Sequence, residues 1–213
     1  ARLWAVLSSI VVKASFRESD TRNRRTVRHR PPGTTAILFH KKARELGRML
    51  DAMPAERAVR VRTADARKVG PVPGTGLVLT SPPYPGVYDY LPMQQLRFLW
   101  MDIDPDGRTM AAELGSRRSF RAEGRSDALK SWRQDTADWV KRQAKALPAG
   151  GRVAVNVGDG LVAGRTVDTL SVTVEAMRNA GLDIIARASA DRPDHARDSV
   201  RIEHIVLGEK PGA

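Results

Sequence analysis

The chain has 213 residues, and its 36 Lys and Arg against 24 Asp and Glu give a formal net charge of +12. It contains no cysteine, which excludes disulfides, thiolate zinc sites and a cysteine nucleophile. Its four histidines are too widely spaced to predict a metal site. No apolar run reaches membrane-spanning length and no signal-peptide pattern opens the chain, so we expect a soluble, cytoplasmic protein without a membrane partner. The positive charge favours a polyanionic partner, although an arginine-rich solvated surface gives the same composition.

Residues 1–57 predict a helical, arginine-rich segment. Apolar residues recur at helical spacing near its start, at Leu3, Leu7, Ile10, Val11 and Ala14. A second helix is predicted from Thr34 to Pro54. Between the helices, residues 15–32 predict an exposed loop that holds six arginines: Arg17, Arg22, Arg24, Arg25, Arg28 and Arg30. These side chains would either face the phosphate backbone of a nucleic acid or form an ordinary solvated loop.

Residues 58–213 predict a domain in which strands and helices alternate. Val59 and Val61 predict a half-buried strand, and residues 77–80 form a short apolar run that predicts a buried strand ending at Pro82. The further predicted elements are a helix over 93–100, an irregular insertion over 102–125, a long helix over 129–147, a strand over 153–157, a helix over 167–181 and closing strands over 182–188 and 200–207. This order predicts an α/β fold with a mostly parallel sheet, helices on both faces and an antiparallel closing pair.

Two groups of residues are predicted to serve the core or a turn. Trp100, Trp132 and Trp139 lie on apolar helical faces and are expected in the core. Asn156 and Asp159 stand at the end of a predicted strand, where either ligand binding or a turn would explain them.

Arginines 117, 118, 121 and 125 form a second, weaker candidate for phosphate contacts.

The segment Thr80-Ser81-Pro82-Pro83-Tyr84 carries the clearest chemical signal. It follows a predicted strand, and in open α/β sheets ligands bind beyond the carboxyl ends of strands. The two prolines fix φ and lack N–H groups, so their carbonyl groups can be held outward as acceptors. Ser81 adds a hydroxyl and Tyr84 a flat ring, and together these groups suit a planar molecule that carries an NH₂ group.

This segment resembles motif IV of the N-4/N-6 amino-methylating DNA methyltransferases, in which Asp, Asn or Ser precedes Pro-Pro and an aromatic residue. Segments 63–67, 151–157 and 201–211 resemble further parts of that family. The resemblance implies a Rossmann-like sheet and transfer of a methyl group from S-adenosylmethionine to the exocyclic amine of a DNA base. Ser at the first position favours cytosine N4 over adenine N6.

The resemblance also implies roles for individual residues. Ser81 and the Pro82 carbonyl would accept hydrogen bonds from the amine of a base flipped out of the duplex, with Pro83 holding the turn and Tyr84 stacking on the base. Thr80 and Asp65 would contact the cofactor, with a turn role as the alternative for Asp65. The nucleic-acid contacts are expected at Tyr88 and at the loop arginines, namely Arg17, Arg22, Arg24 and Arg25.

One part of the family pattern is missing. No Asp-Pro-Phe-x-Gly-x-Gly turn, which cradles the cofactor in the family, occurs in the chain; the segments 74–76 and 158–160 carry only a Gly-x-Gly pattern, which is a weak signal. Because the chain begins at Ala1 within a predicted helix, we expect that this turn lies upstream. The alternatives are an RNA base methyltransferase and a catalytically inactive, basic nucleic-acid-binding module.

Overall fold

A computed structural model of the chain describes residues 2–19, 24–53, 60–105, 107–194 and 199–212. It divides into two compact units, Ala1–Arg62 with Tyr90–Ala111 and Thr63–Asp89 with Ala112–Ala213. Among the described residues, no helix has the length and apolar character needed to span a membrane.

The first unit is helical. Its helices are α1 (Arg2–Ala14), α2 (Thr34–Asp51), α3 (Tyr90–Met93), α4 (Gln95–Met101) and α5 (Gly107–Ala111). The predicted helices α1 and α2 are confirmed, and α1 buries Val6, Ile10 and Val11 while Leu3 stays exposed. Gly33 precedes α2 with φ of 82°, a left-handed conformation that glycine adopts without strain.

The second unit is a mixed α/β structure. Its elements are β1 (Leu77–Thr80), α6 (Arg117–Ala122), α7 (Gly124–Ala146), β2 (Arg152–Gly158), β3 (Gly160–Val162), β4 (Arg165–Val167), α8 (Thr169–Asn179), β5 (Asp183–Asp194) and β6 (Ser199–Glu209). The main sheet has the order β1-β2-β6-β5, and β3 and β4 form a separate hairpin. β1 runs parallel to β2, whereas the β2–β6 and β6–β5 pairs are antiparallel. The antiparallel closing pair is therefore confirmed, but the expectation of a mostly parallel sheet is wrong for the described strands.

The core of this unit lies on one face of the main sheet. Val153, Val155 and Val157 alternate along β2 and pack in one cluster with Val140 of α7 and Met177 of α8. α8 begins at Asp168, whose carboxylate accepts a hydrogen bond from the Ser171 backbone N–H, as an N-cap does. Because α7 and α8 pack in one cluster with the same valines of β2, both long helices cover the same face, and the prediction of helices on both faces does not hold for the described residues of this unit.

The opposite face of the sheet is largely uncovered. Leu79 of β1 is 76% exposed and Ile205 of β6 is 55% exposed. β1 is thus a half-exposed edge strand, because only Val78 and Thr80 point toward the buried side, where they pair with Val153 and Val155. The sequence predicts a buried strand here, and its apolar character alone does not distinguish the two.

Other predictions also require correction. Residues 60–65 form no strand and Val61 is 88% exposed, while Val59 lies outside the described residues. The segment predicted as an irregular insertion holds α5, α6 and the start of α7. Trp132 and Trp139 are buried as predicted, but Trp100 is 61% exposed. The hairpin of β3 and β4 is absent from the predicted elements because each strand has only three residues.

Candidate active site

The segment Ser81-Pro82-Pro83-Tyr84 leaves the sheet at the carboxyl end of β1. Since β1 and β2 are parallel, this segment lies beside the carboxyl end of β2. Ser81 is exposed, and Thr80, Pro82, Pro83 and Tyr84 are half-buried. The ladder stops at the prolines because they have no N–H to donate. The four predicted catalytic residues, which are consecutive in the chain, thus lie at the carboxyl end of the sheet, and Tyr84 among them lines a cavity.

The ring of Tyr84 rests against the backbone of Gly158 at the end of β2. A Cβ atom on Gly158 would lie 2.7 Å from Cε2 of the ring. Gly160 packs in the same way against Pro85, because a Cβ atom on Gly160 would collide with the carbonyl oxygen of Pro85. The glycines of the 158–160 segment thus serve close packing against the Tyr84-Pro85 turn.

The hydroxyl group of Tyr84 is fixed by β6. It donates a hydrogen bond of 3.0 Å to Oε1 of Glu203, and Nδ2 of Asn156 lies 3.5 Å from the same hydroxyl oxygen. Glu203 also forms an ion pair with Arg192 of β5. Burial raises the pKa of the Tyr84 hydroxyl; a hydrogen bond with Ser81 opposes this rise and the Glu203 carboxylate adds to it. Tyr84 is therefore a neutral hydrogen-bond donor with a restrained ring.

A cavity of about 160 Å³ opens beside this ring. It is smaller than the pockets of about 300 Å³ and more that enclose drug-sized ligands, so it suits one planar group. The polar and aromatic side chains at its wall come from the motif segment, the end of β2 and the β5–β6 pair: Tyr84, Tyr88, Asp159, Arg192, Arg201 and Glu203. Tyr88, expected to contact nucleic acid, thus shares a wall with Tyr84.

Asp159 joins the cavity to the start of α8. Its Oδ1 accepts hydrogen bonds from the backbone N–H and the hydroxyl of Thr169, at 3.1 and 3.0 Å. The same oxygen lies 3.4 Å from Nε2 of the buried His204, whose Nδ1 is paired with the Ser189 hydroxyl at 2.8 Å. Asp159 therefore stabilises the turn before α8 and also lines the cavity, so both alternatives left open by the sequence describe its position.

Asp65, predicted to contact a cofactor, has strong partners of its own. Its carboxylate accepts hydrogen bonds from the backbone N–H and the guanidinium of Arg67, and Arg67 also reaches Oδ1 of Asp135 on α7 at 2.8 Å. The Arg67 side chain lowers the pKa of Asp65. These contacts give Asp65 the turn role that the sequence analysis also allowed.

The arginines of residues 15–32 mostly stabilise their own loop. Arg17 is buried and donates to the Met93 carbonyl, while Arg28 and Arg30 donate to the carbonyls of Glu18 and Ser15. The expectation that the whole cluster faces solvent therefore fails at Arg17. Arg24 and Arg25 are exposed, with Arg25 5.6 Å from the ring centre of Phe16, and Arg22 lies outside the described residues.

Sequence reasoning did not find Glu203, Arg192 and Arg201. They come from the closing strands, and Glu203 is 119 residues from Tyr84 along the chain. The only sequence signal was the predicted antiparallel pairing of those strands, which could have placed their polar residues at one sheet end. In the described part of the chain, no group of three or more His, Asp or Glu side chains could hold a metal ion.

No family model and no curated protein matches the chain. Crystal structures of a candidate DNA modification methylase from Thermus thermophilus are similar to it. For the complex with S-adenosyl-L-methionine, the identity is 20% and the TM-score 0.42, over 70% of this chain and 52% of that chain. For another structure of the same protein, the values are 22% and 0.40, over 70% and 53%. The chain spans about half the length of that methylase, and similarity at this level assigns no activity to it.

Proposed function

We propose that the second unit is the base-binding part of a DNA methyltransferase with a Rossmann-like sheet, which acts on the exocyclic amine of a flipped base, cytosine N4 in preference to adenine N6. The observation that carries this proposal is the placement of Ser81-Pro82-Pro83-Tyr84 at the carboxyl end of β1, with Tyr84 locked by Gly158 and Glu203 beside a cavity.

The chain's own residues would position the amine. The Ser81 hydroxyl and the Pro82 carbonyl accept its two N–H groups, which favours a pyramidal nitrogen and stabilises the positive charge that develops there. Tyr84 stacks on the base, a contact of about 1–3 kcal/mol in single-strand binders. Its ring is restrained before the base arrives, so little conformational freedom is lost on binding.

S-adenosylmethionine would supply an activated methyl group. The described residues provide only part of a site for it. Tyr84 and Pro85 occupy the space beside Gly158 and Gly160, and the Asp65 carboxylate is bonded to Arg67. Thr80 is half-buried at the end of β1 and is the cofactor contact we retain. We therefore assign to this chain the handling of the base and derive no step at the cofactor.

The test is methyl transfer from labelled S-adenosylmethionine to DNA by the whole protein. Ser81→Ala and Tyr84→Ala should each reduce transfer strongly, whereas Ser131→Ala, an exposed serine on α7, should leave it unchanged. Unaltered transfer in both site variants would contradict the proposal. Nucleoside analysis of the product distinguishes N4-methylcytosine from N6-methyladenine, and competition with RNA tests the RNA alternative.

A second candidate is a nucleic-acid-binding module without methyl transfer. The packing of Gly158 and Gly160 favours it, because it leaves that segment no open cradle for a cofactor. Calorimetric titration with S-adenosylmethionine separates the two, since tight binding would reject the inactive module.

A further inference from the structure

An open basic groove lies on the second unit, away from the residues that line the Tyr84 cavity. It has a volume of about 750 Å³ and is formed by the amino-terminal half of α7 and by the β3–β4 hairpin. All the charged side chains that line it are cations: Arg125, Lys130, Arg133 and Arg165. Lys130, Arg133 and Arg165 are exposed, and Arg125 is half-buried.

These cations differ from three other arginines of the unit. Arg67, Arg118 and Arg152 each form an ion pair with a carboxylate. Within the described residues, none of the four groove cations has a carboxylate partner within salt-bridge distance. Asp168 at the start of α8 is hydrogen-bonded to Ser171, and the charge of Arg133 contributes only weakly to lowering the pKa of its carboxyl group. The groove thus holds positive charge that the fold does not neutralise.

The shape of the groove suits an extended polyanion. Arg125 and Arg133 are eight residues apart on one helix, which corresponds to about 12 Å along its axis. Along the axis of a B-form duplex, one strand carries a phosphate about every 3.4 Å, so a duplex lying parallel to α7 would present three to four phosphates of one strand to this row. A single phosphate group would leave most of the row unused.

The groove is also fixed relative to the motif segment. A Cβ on Gly86, two residues after Tyr84, would lie 2.6 Å from Cγ2 of Val162 in β3. Val162 in turn packs in one buried cluster with Trp132 of α7. A strand held in the groove would therefore keep a constant geometry relative to the Tyr84 ring.

We propose that this groove binds the phosphate backbone of the DNA that carries the target base. That the bound strand is the DNA carrying the target base rests on the proposed function. That phosphates bind here rests on the cations of the groove itself. It replaces the arginine loop, several of whose side chains serve the loop's own backbone, as the main phosphate-binding surface.

The test measures DNA binding by fluorescence anisotropy over a range of salt concentrations, without cofactor. The variant carries Lys130→Gln, Arg133→Gln and Arg165→Gln, and the matched control carries Lys145→Gln, Arg178→Gln and Arg187→Gln, exposed cations of the same unit outside the groove. The slope of log K against log salt is negative, and each lost phosphate contact reduces its magnitude by about 0.9, so in the groove variant the magnitude should fall by about 2.7.

An unchanged slope in the groove variant, an equal loss in the control, or no DNA binding by the parent protein would each overturn the inference. RNA that competes better than DNA of equal length would overturn the assignment to DNA. The readout does not depend on methyl transfer, so an inactive protein with the predicted change in slope would refute the proposed function and leave the groove standing.

Discussion

Gly158→Ala tests whether the backbone of β2 sets the position of the Tyr84 ring. The added methyl group would lie 2.7 Å from Cε2, 3.1 Å from Cδ2 and 3.3 Å from Cζ, whereas ordinary contacts begin at 3.4 Å. Either the ring or the strand must move by several tenths of an ångström. Overpacking of this kind costs about 1–3 kcal/mol in the free energy of unfolding.

The rate of methyl transfer should fall by more than the loss of folded protein alone would explain. A ring displaced from Gly158 cannot keep both its plane and the 3.0 Å bond to Glu203. Misplacement by about 1 Å in a positioned site can lower the rate about 100-fold. The measurements are urea unfolding and, in the whole protein, methyl transfer to DNA.

Gly76→Ala is the matched control, because a Cβ at that position has no neighbour within 4 Å. A second check removes the ring: in a Tyr84→Ala background, Gly158→Ala should cost less than about 0.5 kcal/mol, since the two residues are then no longer coupled. If Gly158→Ala behaves like Gly76→Ala, or if its cost persists without the ring, the packing argument is refuted.

Three further perturbations follow from the same structure. Glu203→Gln should lower the pKa of the Tyr84 hydroxyl, because the nearby negative charge is lost; ultraviolet titration against Tyr84→Phe measures it, and an unchanged pKa contradicts the assignment. Arg67→Gln should destabilise the fold at pH 7 and less at pH 2. Arg67 depresses the pKa of Asp65, so the stabilisation is fully present above the unfolded value near 3.8 and is lost as the pH falls through the depressed folded value. Urea unfolding at both pH values checks this, and equal losses would refute it. Trp132→Ala should cost about 3–5 kcal/mol and Trp100→Ala much less, since they are 5% and 61% exposed; thermal unfolding compares them.

Local patterns predicted the parts of the fold that local forces decide. The helical spacing around Trp132 and Trp139 placed α7, and the alternation of Val153, Val155 and Val157 placed β2. The motif segment was located correctly because a strand that ends at Pro82 is a local event. These features depend on neighbours within a few residues.

The features that the sequence did not predict depend on distant partners. Leu79 is apolar whether its strand is central or at an edge, and only the sheet order decides its exposure. Arg17 is charged whether it meets a phosphate or the carbonyl of Met93. Glu203 enters the site only through the pairing of β6 with β2, which no local pattern specifies.

The parallel pairing of β1 with β2 has a consequence for the order of folding. Leu77 pairs with Arg152, 75 residues along the chain, whereas Asp194 pairs with Ser199 only five residues away. Closing the longer loop costs about 2 kcal/mol more in chain entropy than closing the shorter one. β1 also contributes four residues at the margin of the sheet. We expect the β5–β6 hairpin to form early and β1 to dock last, so that in hydrogen exchange the amides of β1 lose protection first and Ser81-Pro82-Pro83-Tyr84 takes its place only when folding is nearly complete.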